Sequence, residues 1–367
     1  MSIGIGGAGS KLASLMNAER ATIVNVSESE LNKTAANNKI LAVAHSTKGQ
    51  FKGAGKNPDV GKTAFISINE EIFSIIKGEM VVSSTGGGTG NGITSVLLDK
   101  IAEQEIVHQT EKTMFTFILP YLNRESAEYV ENTIDFLLGP VSNAIDSGNT
   151  GNLILFSNKL KFEGRISEQD YNTMIISSLK NFSVIPDKGD ELELLDGHID
   201  HEDFVVYTSK PYFNHFCQFE YTPDRNFAEL LAENMNPLLL PPEQTIEAMF
   251  LLEVPNKDQT PYLYNILDFF ADDDVKPHYG VVHNPNIDKP IITLSMLYSR
   301  KPKELVDDFK QMADLMTRKK LKKSIKQFVK LEERNLDIDN EVRKIEEADE
   351  QNGNSVLDVL ARLKKIR

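Results

Sequence analysis

Short apolar runs alternate with segments whose apolar positions recur every three to four residues, the rhythm of strands and crossover helices in a parallel α/β sheet. Residues 21–26, 80–83, 114–119 and 153–156 read as buried strands, with helices predicted over 62–76, 93–105 and 127–138. A further helix is predicted over 167–182, with Tyr171, Met174, Ile175, Leu179 and Phe182 near one face. A polar stretch at 186–193 interrupts the pattern; beyond it 246–253, 279–282 and 291–298 are β-like and 263–270 helical. The expected fold class is α/β: a parallel-sheet domain joined by a central helix to a smaller α+β domain, with a helical C-terminal extension. The expected boundaries are 1–182 for the first domain with its central helix, 183–205 for a linker and loop, and 206–300 for the second domain. A helix at 301–335, an acidic flexible linker at 336–354 and a terminal amphipathic helix at 355–367 complete the chain.

Composition supports a folded chain: 367 residues, 40% hydrophobic and 26% charged, with room for about two domains at roughly 150 residues each. Cys217 is the only cysteine, which excludes an intramolecular disulfide and a cysteine zinc cluster. The start carries no basic flank followed by an apolar leader, and no apolar run reaches about 18 residues, so a cytoplasmic protein without a transmembrane segment is expected. The formal charge of −14 disfavours nucleic-acid binding by the surface as a whole. Residues 318–330, however, hold seven bases and no acid, and 331–353 hold nine acids and three bases. The basic stretch 318–330 and the terminal segment 356–367 are therefore candidate contacts for an adaptor protein or a DNA-bound adaptor; a solvated helix face is the other reading of 318–330. His198 and His201 lack a third ligand, so no side-chain metal site is expected, and no G-x-S-x-G elbow is present.

Three glycine loops carry the chemistry. Gly4-Ile5-Gly6-Gly7-Ala8-Gly9 has G-x-G-x-x-G spacing, with Glu28 and Glu30 near the distance of a ribose-binding acid. Alone it fits a dinucleotide site or an unliganded strand-to-helix turn. Gly53 to Lys62 resembles a P-loop but has five residues between Gly55 and Gly61 where four are required, which rejects that motif. Gly86-Gly87-Gly88-Thr89-Gly90-Asn91-Gly92 follows a strand and precedes an apolar-periodic helix, so its amides can curve around an anion. Three such loops in one α/β domain point to one phosphate site.

The third loop resembles the G-G-G-T-G-S/T-G phosphate loop of the tubulin and FtsZ family, with Asn91 in place of serine or threonine. Gly53-Ala54-Gly55-Lys56-Asn57-Pro58 resembles the family's G-A-G-x-N-P loop, Gly4 to Ser10 its first nucleotide loop, and Asn25-Val26-Ser27-Glu28 its second. Asp200 and Asp203 are similar to the two acids of N-x-D-x-x-D, and Asn236-Pro237-Leu238-Leu239 to the segment opening the second domain. The resemblance implies a GTP/GDP-binding, GTP-hydrolysing cytoskeletal protein that assembles head to tail with itself, with Mg2+ accompanying the nucleotide. It implies nucleotide contacts from Gly6, Gly7, Ala8, Gly9, Ser10, Lys11, Asn25, Ser27, Ala54, Gly55, Asn57, Gly86, Gly87, Gly88, Thr89, Gly90 and Asn91. Glu125 is the candidate for the ribose, and Asn158 and Asn172 for guanine; Asn172 also fits the polar face of its helix. Asp200 and Asp203 are the implied catalytic pair, supplied to the neighbouring subunit's nucleotide; read without the family they are helix-capping acids. Lys11 and His198 stand where the family has asparagine, which with the missing F-E-G sequence marks a divergent member, like the plasmid and phage TubZ or PhuZ proteins. DNA segregation or positioning and cell division are the implied roles. The rival classes are an NAD(P)-dependent oxidoreductase using only Gly4 to Gly9, and a non-hydrolysing structural homologue.

Overall fold

In the computed structural model the N-terminal elements are Ser2–Ile5 (β1), Gly6–Asn17 (α1), Ala21–Asn25 (β2), Glu28–Lys33 (α2) and Asn38–Leu41 (β3). A small hairpin, His45–Ser46 (β4) and Gly49–Gln50 (β5), precedes Pro58–Phe65 (α3), Asn69–Ile75 (α4), Met80–Ser84 (β6) and Gly88–Ala102 (α5). Met114–Leu119 (β7), Ala127–Phe136 (α6), Ser142–Ser147 (α7), Leu153–Ser157 (β8), Lys159–Glu163 (α8) and Glu168–Ser183 (α9) follow. The rest comprises Ile185–Glu191 (α10), Glu193–Gly197 (β9), His201–Thr208 (α11), Phe213–Glu220 (β10) and Phe227–Asn234 (α12). Glu247–Val254 (β11), Tyr262–Asp272 (α13), His278–His283 (β12) and Ile291–Tyr298 (β13) end it. The residues described are 2–47, 49–103, 111–121, 123–242 and 244–298. The chain divides into the units Met1–Glu304 and Leu305–Arg367. The expected helix 301–335, linker 336–354 and terminal helix 355–367 all lie outside the described residues, as do the basic stretch 318–330 and the segment 356–367.

Eleven strands form one sheet in the order β3-β2-β1-β6-β7-β8-β10-β13-β11-β12-β9, an α/β fold. Strands from β3 to β10 pair in parallel, which sends each chain reversal over a helix. From β10 onward the pairing is largely antiparallel. The two expected domains thus share a sheet, joined where Phe213 pairs with Leu153 and Asn214 with Ile154. Buried polar groups fix that seam: Asn214 Nδ2 donates to Asn152 Oδ1 at 2.8 Å, and Ser295 Oγ donates to Asn214 Oδ1 at 2.7 Å. Each group is satisfied, so the seam avoids the penalty of an unpaired buried dipole, about 1–3 kcal/mol.

The central helix α9 starts where Ser167 accepts the Asp170 N–H at 3.1 Å, with acids in its first turn favoured by the helix dipole. Its buried face is Tyr171, Ile175, Ile176, Leu179 and Phe182, each large apolar side chain contributing roughly 1.5–3 kcal/mol. Phe182 stacks on Phe216 of β10 at 4.7 Å, which packs the helix against the C-terminal strands. Met174, expected on that face, is 37% exposed instead.

Other departures have local causes. The single helix expected at 62–76 begins earlier, because Asn57 caps α3 and Pro58 suits its first turn. It breaks near Ser67, whose hydroxyl donates to the Ala64 carbonyl at 2.8 Å and accepts from Val43 N–H, competing with the helical ladder. The polar stretch 186–193 contains α10, since Pro186 is tolerated at a helix start, and the beginning of β9. Strand β10 escaped the pattern because its first five residues are buried, leaving no apolar/polar alternation there.

Within β10, His215 is buried; its Nδ1 donates to Leu240 O at 2.7 Å and its Nε2 accepts the Asn236 N–H at 3.3 Å, a neutral tautomer. Burial lowers its pKa from 6.5 to about 4 despite the Leu240 bond. A lowered folded-state pKa gives stability that is present above the unfolded pKa and lost as pH falls toward the folded one. Between pH 6.5 and 4 His215 is therefore expected to remove on the order of 3 kcal/mol of stability. Urea midpoints at pH 7 and pH 4.5 for the wild type and His215→Gln test this: the variant should lose less on acidification, and equal losses would remove His215 as the source.

Candidate nucleotide site

The loops after β1, β2 and β6 leave the same edge of the sheet, because strands paired in parallel end together. Residues 52–56, ahead of α3, reach the same place. Together they line a cavity of ≈ 650 Å³, within the roughly 300–1,000 Å³ of small-molecule sites. Its wall includes Gly7, Ala8, Ser10, Lys11, Asn25, Ser27, Ala54, Gly55, Gly86, Gly87, Gly88, Thr89, Gly90, Glu125, Asn158 and Asn172. Sixteen of its thirty wall residues are ones that the sequence reading singled out as nucleotide contacts.

Two helices aim their first turns at this space. Helices α1 and α5 have no side-chain cap, as is also true of α4, α6, α7, α8, α10 and α13, and their first turns line the cavity through Gly7, Ala8 and Gly88 to Gly90. Uncapped first turns retain backbone N–H groups for an anion, reinforced by the helix dipole. The predicted helix at 93–105 in fact starts at Gly88, so the glycine loop supplies the first turn of α5. A Cβ on Gly88 would stand 2.7 Å from both Ala54 Cβ and Asn57 N, which shows how closely the second and third loops approach.

The lining lysines, Lys11, Lys33, Lys52, Lys56 and Lys161, outnumber the glutamates, Glu30, Glu125 and Glu168. A net positive wall in a chain of charge −14 favours an anionic ligand there. Toward α9 the groups suit a neutral polar ligand edge. Glu125 Oε2 accepts from Asn158 Nδ2 at 3.1 Å and from Tyr121 N–H at 2.5 Å. The Tyr171 hydroxyl donates to Ser157 O at 2.7 Å, and burial, with the charge of Glu125, pushes its pKa up. Lys11 Nζ meets Glu168 Oε1 at 2.6 Å and holds that carboxyl below its usual range. Asn25 Nδ2 donates to Glu30 Oε2 at 2.7 Å, placing this acid beside Gly7.

Gly6, Gly9, Asn57 and Asn91 do not line the cavity. Gly6 makes the turn into α1 at φ +74°, and Gly9 lies against the Val82 carbonyl. Asn57 Oδ1 accepts the Asp59 N–H at 3.0 Å as the α3 cap. Asn91 is buried behind the loop, where its Nδ2 donates to Thr85 O and Asn132 O. Lys33, Lys52, Lys56, Lys161 and Tyr129 are wall residues that the sequence reading missed; single lysines and a tyrosine carry no motif.

Asp200 and Asp203 lie elsewhere. Asp200 caps α11 by accepting the Asp203 N–H at 2.7 Å, and Asp203 is exposed. The end of α11 adjoins the start of β8, since Asn152 N–H donates to Thr208 O. Helix α11 therefore meets the edge where the parallel strands begin, opposite the edge where the glycine loops emerge. Val206, 59% exposed, sits one turn beyond Asp203 on the same face. Among the described residues no group of three or more His, Cys, Asp or Glu converges to hold a metal, and no helix is long and apolar enough to cross a membrane.

Residues 1–144 match the Tubulin/FtsZ family, GTPase domain. A cell division protein FtsZ of Haloferax mediterranei is 34% identical over 103 residues, 26% of this chain and 27% of that protein. A tubulin-like protein TubZ of Bacillus cereus is 29% identical over 93 residues, 23% of this chain and 21% of its own length. The matched stretches thus span about a quarter of these relatives. A GTPγS-form protofilament of TubZ from Bacillus thuringiensis serovar israelensis superposes with a TM-score of 0.68 at 14% identity, covering 89% of this chain and 93% of that one. That likeness shows the fold.

Proposed function

We propose that this chain, a divergent tubulin/FtsZ-like member, binds and hydrolyses GTP and assembles head to tail into cytoskeletal filaments that serve DNA segregation and positioning or cell division. The observation that carries the reading is the polar arrangement of the molecule. An anion-suited cavity opens at one edge of the sheet, and Asp200 and Asp203 stand at the other. Stacking identical copies in one direction brings the two edges together, a heterologous contact that need not close. Gly7, Ala8 and the residues 86–90 bind the phosphates, and Lys11, Lys52 and Lys56 balance their charge. Glu125, Asn158 and Asn172 hold ribose and base. Asp200 and Asp203 of the next copy orient and deprotonate the attacking water. Mg2+ fits a site of this kind through phosphate oxygens and water, with Ser10 and Thr89 as nearby hydroxyls, because no carboxylate cage is present among the described residues.

A nicotinamide enzyme would account for the first loop alone, whereas all three loops line this cavity. The test is light scattering with simultaneous phosphate release, GTP against ATP. Scattering and release that require GTP and rise steeply with protein concentration are expected. Concentration-independent turnover, or equal response to ATP, would overturn the assembly-dependent or guanine-specific part respectively.

A further inference from the structure

We propose that Asn132 on α6 is a positioning residue that clamps two phosphate loops of this cavity to one helix face, with Asn91 as the second half of the clamp; the inference rests on the nucleotide reading above. Asn132 Nδ2 donates to Gly86 O and to Lys56 O, both at 2.9 Å. Gly86 and Lys56 belong to different loops and both line the cavity. Asn91 Nδ2 in turn donates to Thr85 O at 2.5 Å and to Asn132 O at 2.9 Å, while its Oδ1 accepts from Ser95 Oγ at 3.2 Å. Thr133, beside Asn132, shares a 2.8 Å hydroxyl contact with Thr85.

The rest of the α6 face serves the same loops. A Cβ on Gly86 would come within 2.9 Å of Tyr129 Cβ, and Lys56 Nζ lies 4.9 Å from the Tyr129 ring centroid. Lys56 also holds φ at +67°, a left-handed conformation that costs a non-glycine residue of order 1 kcal/mol and persists where its surroundings fix it. The bond from Asn132 to its carbonyl is such a constraint. In a trans peptide the carbonyl and the following N–H point in opposite directions, so holding Gly86 O on α6 turns the Gly87 amide away from α6. A side-chain amide, whose nitrogen carries two N–H donors, is what the geometry requires, because a hydroxyl has a single proton to give. This accounts for Asn91 at a position where the resembled phosphate loop has serine or threonine: only the amide reaches Thr85 O and Asn132 O together.

Asn132→Leu removes both donations and keeps the side chain's approximate size. Hydrogen exchange in the nucleotide-free full chain is expected to rise in 54–58 and 85–89 while the β6 and β7 amides stay protected. GDP affinity by titration is expected to fall about tenfold, the loss of a preorganised donor set. Asn132→Ala, which removes the donor without adding charge, gives the same readouts if the leucine variant is insoluble. Unchanged exchange in either loop, a uniform rise that includes β6, or GDP affinity within about twofold of wild type would each overturn the clamp. Failure of the wild type to bind GDP would instead overturn the proposed function, and the exchange pattern would still decide the clamp.

Discussion

Gly92→Ala is expected to abolish stable folding, although alanine normally improves a helix interior by roughly 0.5–1 kcal/mol over glycine. Gly92 is in α5, where it meets α3 at backbone distance. An added Cβ would lie 2.0 Å from Pro58 O and 2.8 Å from both Gly61 Cα and Lys62 N. All three are backbone atoms, so no side-chain rotation relieves the overlap. Gly61 faces back in the same way, its own Cβ position 2.6 Å from Gly88 O. Separating the helices would open a dry contact beside buried Ile93 and Ala64 and disturb residues 53–57, which precede α3. Overpacking typically costs about 1–3 kcal/mol and exceeds that range where backbone must move, against a total stability of roughly 5–15 kcal/mol, so the steric effect outweighs the helix propensity. Gly139→Ala is the matched control, because nothing lies within 4 Å of its Cβ position and its backbone is not left-handed. It should be neutral or slightly stabilising. Soluble yield and urea midpoints of the two variants check this. A Gly92→Ala midpoint equal to wild type would mean that α3 and α5 can part freely.

The same residue shows where sequence reasoning stopped. The density of glycines at 86–92 in a strand-to-helix junction marks the segment as a candidate binding loop in the sequence. Their division of labour carries no such mark. Gly86, Gly87, Gly88 and Gly90 line the cavity, whereas Gly92 lets two helices touch. Low helix propensity also made Gly88 to Gly92 read as loop, and contact with α3 and the strand core overrode it. In the parallel sheet β2, β6, β7 and β8 are legible as apolar runs, but β3, β9 and β10 are hidden, β10 by burial on both faces over its first residues and β9 by its polar composition. Asn132 carries no local signal at all. Its importance exists only once α6 lies across two loops that are 30 residues apart in sequence, about 56 to 86. Asp200 illustrates the reverse case: the capping role that composition favours is present, and nothing in a single copy brings it to the cavity.

Asp203→Asn is expected to bind GTP and assemble while hydrolysing it about a hundred to a thousand times more slowly, the usual scale for removing a general base. Asp203 is the cleaner position to change. Asp200 caps α11, so its replacement by alanine would also cost about 1 kcal/mol of helix stability. Asp203 is exposed in one copy, and its asparagine variant keeps the shape and the N–H that Asp200 accepts. The proposed sharing of the site between copies makes a stronger demand. Gly87→Glu should empty the cavity of nucleotide without unfolding the chain, because its Cβ meets only the Ser84 hydroxyl, at 3.2 Å, while its carboxylate stands in the anion-suited cavity. Neither variant alone should turn over GTP at more than about a hundredth of the wild-type rate. Mixed in equal amounts, a junction works when an intact cavity from the Asp203→Asn copy meets intact acids from the Gly87→Glu copy. Random assembly makes about one junction in four of that kind, so activity should return to roughly a quarter of wild type or less. Phosphate release from the mixture checks this. A mixture no more active than the sum of its parts would mean that Asp203 does not complete a neighbour's site, whatever it contributes within its own copy.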